Sequence, residues 1–234
     1  MKWSIEDFVY GATDGAVTTF AVVAGVVGAS LSPSVILILG FANLFADGFS
    51  MAIGNYLSSK SRIEYIERER KREEWEIDNL TEKEIDEIRN IYSEKGFRDE
   101  LLEEVTKVIT SKRKVWVDTM MKEELGLIHN KNENPRNKAI TTFVAFNLVG
   151  LIPLIPFIFL YIMISNSATT SLTIDEIFTY SIVFTAISFF TVGLIKGKVV
   201  DKSPIKSGLS TLGIGGTAAL VAFVVGYLLS QYVM

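Results

Sequence analysis

The chain has 234 residues, 49% of them hydrophobic and 21% charged, with a formal net charge of −4 and a mean hydropathy of +0.32. That is too apolar for an ordinary soluble domain of this length. Cysteine is absent, which excludes disulfides, thiolate metal sites and thiol catalysis.

The charge is segregated. Residues 60–138 carry 18 of the 23 Lys/Arg and 20 of the 27 Asp/Glu, so a charged domain is set into an otherwise apolar chain. Five stretches, about 8–29, 34–58, 139–164, 175–197 and 207–231, are long enough to cross a hydrocarbon core, which needs roughly 20 helical residues. The first runs on too long for a cleavable signal peptide. The expected fold is therefore an all-α membrane protein with five transmembrane helices and an inserted three-helix cytoplasmic domain. Its parts are residues 1–59, 60–138 and 139–234.

Orientation follows from Lys and Arg near the span ends. The first loop, "GASLSPS", has none, whereas the second span is followed by Lys60, Arg62, Arg68, Arg70, Lys71 and Arg72. Arg136 and Lys138 precede the third span, and "SNSATTSLTIDE" after it again has none. Lys196, Lys198, Lys202 and Lys206 lie between the fourth and fifth. This alternation puts the N-terminus and residues 60–138 in the cytoplasm and the C-terminus on the far side.

Within the charged part no Gly or Pro occurs from Lys60 to about Asn79, so the second span is expected to continue as a helix into the cytoplasm. Thr81 with Glu84 has capping-box spacing for a second helix, which Gly96 ends. Asp99 is placed to cap a third, with Leu101, Leu102, Val105, Val108 and Ile109 at helical spacing and Gly126 closing it. Pro153 and Pro156 in "GLIPLIP", Asn147, and the glycines of "LGIGGTAA" are expected to loosen or kink the later spans.

Asn43, Asp47, Met51 and Asn55 recur every four residues inside the second span, so they stack along one helix face. Asp14 and Asp47 are the acids well inside apolar segments. A carboxylate at membrane depth costs several kcal/mol and normally faces a polar cavity or bundle interior. Counting 1.5 Å per residue from the expected span ends places Asp14 and Met51 at the same level, roughly 10 Å below the inner surface. Oxygen and sulfur together suit Fe(II) or its neighbours, whereas carboxylate alone suits Mg or Ca. Two other readings stay open: Met51 as ordinary packing with Asn43 as an interhelical hydrogen bond, and either acid as a proton carrier.

In the charged part, Glu73 and Glu76 are three apart, as are Glu84 and Glu87, and Met120, Met121 and Glu124 fall close together. Carboxylates at that spacing point the same way, as metal-bridging helices require. The competing reading is a solvated face of ion pairs, with Glu84 used in the capping box.

"YGATDGAVTTFAVVAGVVGA" and "ANLFADGFSMAIGNYLSSKS" resemble the vacuolar iron transporter family. The resemblance covers essentially the whole chain and is carried by the D-G-x-V-T-T-F and S-M-A-x-G elements. It implies a homodimeric, five-helix antiporter in the lipid bilayer that moves Fe(II) out of the cytoplasm in exchange for protons, with Mn(II) as a related substrate. It also implies a dimer-interface path through Asp14 and Met51, with Asn43 and Asp47 beside it. A cytoplasmic metal-binding domain would use Glu73, Glu76, Glu84, Glu87, Met120, Met121 and Glu124. Asn43 and Asn55 are departures, at positions that vary in the family. The membrane would be a vacuole's in a eukaryote and the cell membrane in a prokaryote.

No tightly bound cofactor and no nucleic-acid partner are expected. An enzyme fits poorly: there is no nucleotide loop, and the one histidine, His129, sits in a polar linker. The alternative of another class is a membrane-anchored metal sensor or helical interaction module, against which the acids at membrane depth count.

Overall fold

A computed structural model describes residues 4–128, 133–165 and 173–233, and His129 lies outside them. All regular structure among these residues is helical. The chain divides into two units, Met1–Tyr56 with Asn134–Met234, and Leu57–Glu133.

The apolar unit is built first from α1 (Ile5–Gly28) and the leading part of α2 (Pro33–Asn79). It is completed by α6 (Pro135–Gly150), α7 (Ile155–Ser165), α8 (Ile174–Val199) and α9 (Pro204–Val233). Five stretches are long and apolar enough to cross a membrane, with α6 and α7 forming one of them. Helix α1 packs against α6, α8 and α9. Its Gly11 and Gly15 allow this closeness, because a Cβ on either would strike the backbone carbonyl of Thr142 or Phe146 in α6. Phe20, Val23, Ile36, Leu44, Phe146, Leu154 and Phe157 form the core of the unit.

The "GLIPLIP" segment interrupts the third span. A 3-10 turn, Ile152–Leu154, separates α6 from α7, because prolines 153 and 156 cannot donate to the helix ladder. The Ser181 hydroxyl donates to the freed Pro153 carbonyl at 2.7 Å, re-satisfying the backbone as an apolar surrounding demands.

In the charged unit α2 runs unbroken to Asn79, followed by α3 (Thr81–Glu94), α4 (Asp99–Thr110) and α5 (Arg113–Glu123). The single third helix expected from the sequence is thus two, and the described residues of the unit hold four helical segments. Thr110 and Ser111 explain the break, since their hydroxyls donate to the carbonyls of Thr106 and Val108 and compete with helix continuation. Gly96 ends α3 as expected, at φ +98. The expected caps differ. Thr81 is already helical and its hydroxyl donates to the Ile77 carbonyl at 2.8 Å, so no capping box forms and Glu84 is free for other use. Asp99 is the first helical residue, with Arg98 at the cap.

Candidate metal-handling sites

Two polar assemblies stand out, one in each unit. In the apolar unit the stripe Asn43–Asp47–Met51–Asn55 is half-buried. It lies between a buried stripe (Leu44, Gly48, Ala52) and exposed ones that include Ala42, Ala46, Ser50 and Gly54. The amides at its two ends bond to α1. Asn43 Nδ2 donates to the Thr18 and Thr19 hydroxyls at 3.3 and 3.4 Å. Asn55 Nδ2 donates to Asp7 Oδ1 at 2.7 Å and to the Thr142 hydroxyl of α6 at 2.8 Å.

These bonds fix the register of two antiparallel helices. On that register Asp14 is level with Asp47 and Gly48, and Met51 with Gly11. Asp14 and Asp47 are close enough for their charges to interact. The sequence-based depths put Asp14 level with Met51, and the structure moves Met51 about one turn, ~5 Å, away. The cause is the helix ends: α1 starts at Ile5 rather than residue 8, and α2 does not stop at residue 58. Met51 also packs against the apolar core, so ordinary packing describes part of its environment. Asn43 likewise makes the interhelical bonds that the alternative reading foresaw.

The second assembly is carboxylate. Helix α2 carries Glu73 and Glu76, the turn at Leu80 brings α3 back with Glu84 and Glu87, and Glu124 caps α5. One carboxylate oxygen from each of Glu73, Glu76 and Glu84 lies within 4.8 Å of the others, and the same holds for Glu84, Glu87 and Glu124. Glu84 belongs to both groups. Glu73 and Glu84 are 0% and 1% exposed, and none of their four oxygens accepts a hydrogen bond from the described residues. A solvated face of ion pairs does not bury its acids in this way.

Two basic side chains approach the edges of the cluster. Arg72 lies 2.8 Å from Glu69, 3.6 Å from Glu73 and 3.7 Å from Glu76, the last two too long for hydrogen bonds. Lys83 pairs with Glu87 at 2.7 Å and reaches Glu84 at 3.5 Å. Met120 and Met121 are buried with Ile66, Ile77, Ile88, Ile109, Trp116 and Val117, which gives them a packing role in this structure.

Crowding shifts the acids. Burial, then the charges of Glu124, Glu76 and Glu84, push Glu73 up to about 7 against the pull of Arg72. Burial and Glu87 raise both Glu84 and Glu124. Between pH 4.5 and 7 the folded chain therefore holds a proton on Glu73 that the unfolded chain has released, so stability falls as pH rises through that window. The metal-free protein is expected to lose on the order of 2–3 kcal/mol from this group between pH 5 and 8. Thermal unfolding at both pH values checks it, with Glu73→Gln expected to flatten the difference.

Sequence reasoning missed Asp7, which the expected span boundary left outside the membrane. The signal was available: Ser4 followed three residues later by an acid is a helix-start pattern, and Asp7 N does donate to Ser4 Oγ at 3.3 Å.

Residues 5–227 match the sequence model of a family described as the VIT family. A vacuolar iron transporter of Toxoplasma gondii (strain ATCC 50861 / VEG) is 38% identical over 231 residues, covering 98% of this chain and 75% of the relative. One from Plasmodium falciparum (isolate 3D7) is 33% identical, covering 98% and 84%. Vacuolar iron transporter 1 of Arabidopsis thaliana is 32% identical, covering 94% and 83%.

Proposed function

This chain belongs to the VIT family, and from that premise we propose that it carries Fe(II), and related divalent ions such as Mn(II), out of the cytoplasm in exchange for protons. It is a transport protein rather than an enzyme, as its relatives' names indicate. The observation that carries the reading is the line of polar groups between α1 and α2, where two half-buried acids within apolar spans, Asp14 and Asp47, lie close enough for their charges to interact. Like charges at that depth are costly, and a divalent cation between them offsets the cost.

In this account Glu73, Glu76, Glu84, Glu87 and Glu124 collect the metal on the cytoplasmic side. Met120 and Met121 lie in the same unit as soft donors. The ion then passes along Asp14, Asp47 and Met51, with Asn43 holding the outer part of the route. Carboxylates bind divalent ions reversibly and in competition with protons. A more acidic far side protonates them there and releases the ion. The Lys/Arg asymmetry supports a cytoplasmic N-terminus and charged unit. Proteoliposomes loaded at acidic pH are expected to take up Fe(II) and to alkalinise inside as they do so. Metal binding without flux would instead favour the sensor reading.

The path is proposed to close only in a homodimer. The small residues Ala42, Ala46, Ser50 and Gly54 form an exposed stripe beside the polar one, and small residues let helix backbones approach in membranes. Because the chain lacks cysteine, single Ala42→Cys, Ala46→Cys or Ser50→Cys variants report directly. At least one is expected to form a disulfide-linked dimer in oxidised membranes. If all three stay monomeric on non-reducing gels, this face is not the interface.

A further inference from the structure

Each carboxylate group of the charged unit has a cation of its own. Arg72 attends the Glu73–Glu76–Glu84 group, 3.6 Å from Glu73 and 3.7 Å from Glu76. Lys83 attends the Glu84–Glu87–Glu124 group, 2.7 Å from Glu87 and 3.5 Å from Glu84. Both charges also reach Glu124, where they oppose the upward push of burial, Glu87 and Glu76.

Neither cation is locked onto the acids at the centre. The approaches to Glu73, Glu76 and Glu84 are longer than good hydrogen bonds, and the oxygens of Glu73 and Glu84 accept none from the described residues. A fixed ion pair is built the other way, with short bonds to the buried charge it neutralises. Arg72 already has a closer partner. It lies 2.8 Å from Glu69, a buried carboxylate that Arg68 holds independently at 2.6 and 2.9 Å. Arg72 can therefore leave Glu73 and Glu76 without losing its pairing, and Glu69 does not depend on it. The Lys83 side chain is 60% exposed, so water receives it if Glu84 and Glu87 let it go.

We propose that Arg72 and Lys83 are resident counter-ions of the metal-collecting cluster, one for each group, which steady its acids while it is empty and yield when a divalent cation enters. The proposal rests on the collecting role given to these acids above. Carboxylates crowded together repel one another, and a tethered positive charge within reach relieves part of that repulsion. The same charge works against an arriving metal ion. Affinity is held down, so the ion is passed on rather than kept.

Equilibrium Mn(II) binding to the full chain in detergent at pH 8 tests it, together with melting of the metal-free protein. Arg72→Gln and Lys83→Gln are each expected to bind Mn(II) about fivefold more tightly or better, and to melt at a lower temperature without metal. Arg72→Lys keeps the charge and is expected to bind as the wild type does. Arg89→Gln makes the same change in net charge at a residue paired with Asp86 and Glu103, outside both groups, and is expected to leave binding alone. Unchanged or weaker Mn(II) binding in either Gln variant overturns the role for that cation, because a merely structural ion pair lowers melting alone. Equal tightening by Arg89→Gln overturns it for both, as an effect of net charge. Wild-type binding that Glu84→Gln weakens, with no gain in the Gln variants at Arg72 and Lys83, sinks the counter-ions and leaves the collecting role standing. Binding that Glu84→Gln does not alter removes both.

Discussion

Proteoliposomes carrying Asp14→Ala are expected to lose Fe(II) uptake to within the leak of protein-free vesicles, a fall of at least about thirtyfold, equivalent to ~2 kcal/mol of the barrier. Asp14 lies close enough to Asp47 for their charges to interact, and the pair supplies the negative charge at the middle of the α1–α2 line. With one acid gone, a dehydrating cation meets a single carboxylate, and the rung loses its reason to hold a divalent ion. Asp14→Asn is expected to behave similarly, because the amide keeps the shape and not the charge. Asn43→Ala removes two bonds to threonine hydroxyls and is expected to cost far less. Uptake by Asp14→Ala at the wild-type rate would end the permeation account.

The second large effect is expected at Glu84, where a single substitution should move binding and stability in opposite directions. Glu84 is shared by both carboxylate groups, so Glu84→Gln weakens both, while Glu87→Gln leaves the Glu73–Glu76–Glu84 group intact. Equilibrium Mn(II) binding to the full chain in detergent is expected to weaken by about tenfold or more for Glu84→Gln, one lost charge-assisted ligand at ~1.4 kcal/mol or above. The metal-free variant is expected to be more stable, by about 1–2 kcal/mol near neutral pH, since a buried carboxylate without a hydrogen bond becomes neutral. A solvated, ion-paired Glu84 predicts neither change. Unaltered Mn(II) binding together with an unaltered melting temperature would return Glu84 to that role.

The apolar runs made the spans readable, because about twenty apolar residues in a row have few other uses. Their ends were less readable. Glu6 and Asp7 look like solvent residues, yet α1 includes both, and that misplaced boundary cost a turn in the level of Met51 and hid Asp7 altogether. Spacing put Glu73 with Glu76, and Glu84 with Glu87, on one face each. That the two faces meet depends on the reversal at Leu80, which periodicity does not encode. The capping box at Thr81 was plausible locally and lost to a competing bond with Ile77. The break at Ser111 arose similarly, from hydroxyls bonding to their own helix. Met120 and Met121 carry donor atoms in sequence, but their surroundings in the folded unit are those of core residues.

Crystals of the full chain grown with Mn(II) and measured at its absorption edge test the central claim most directly. The account predicts anomalous density against Glu84 in the charged unit and a second peak beside the Asp14 and Asp47 carboxylates. Ions found only on exposed acids, with the space between α1 and α2 filled by water or lipid, would contradict it.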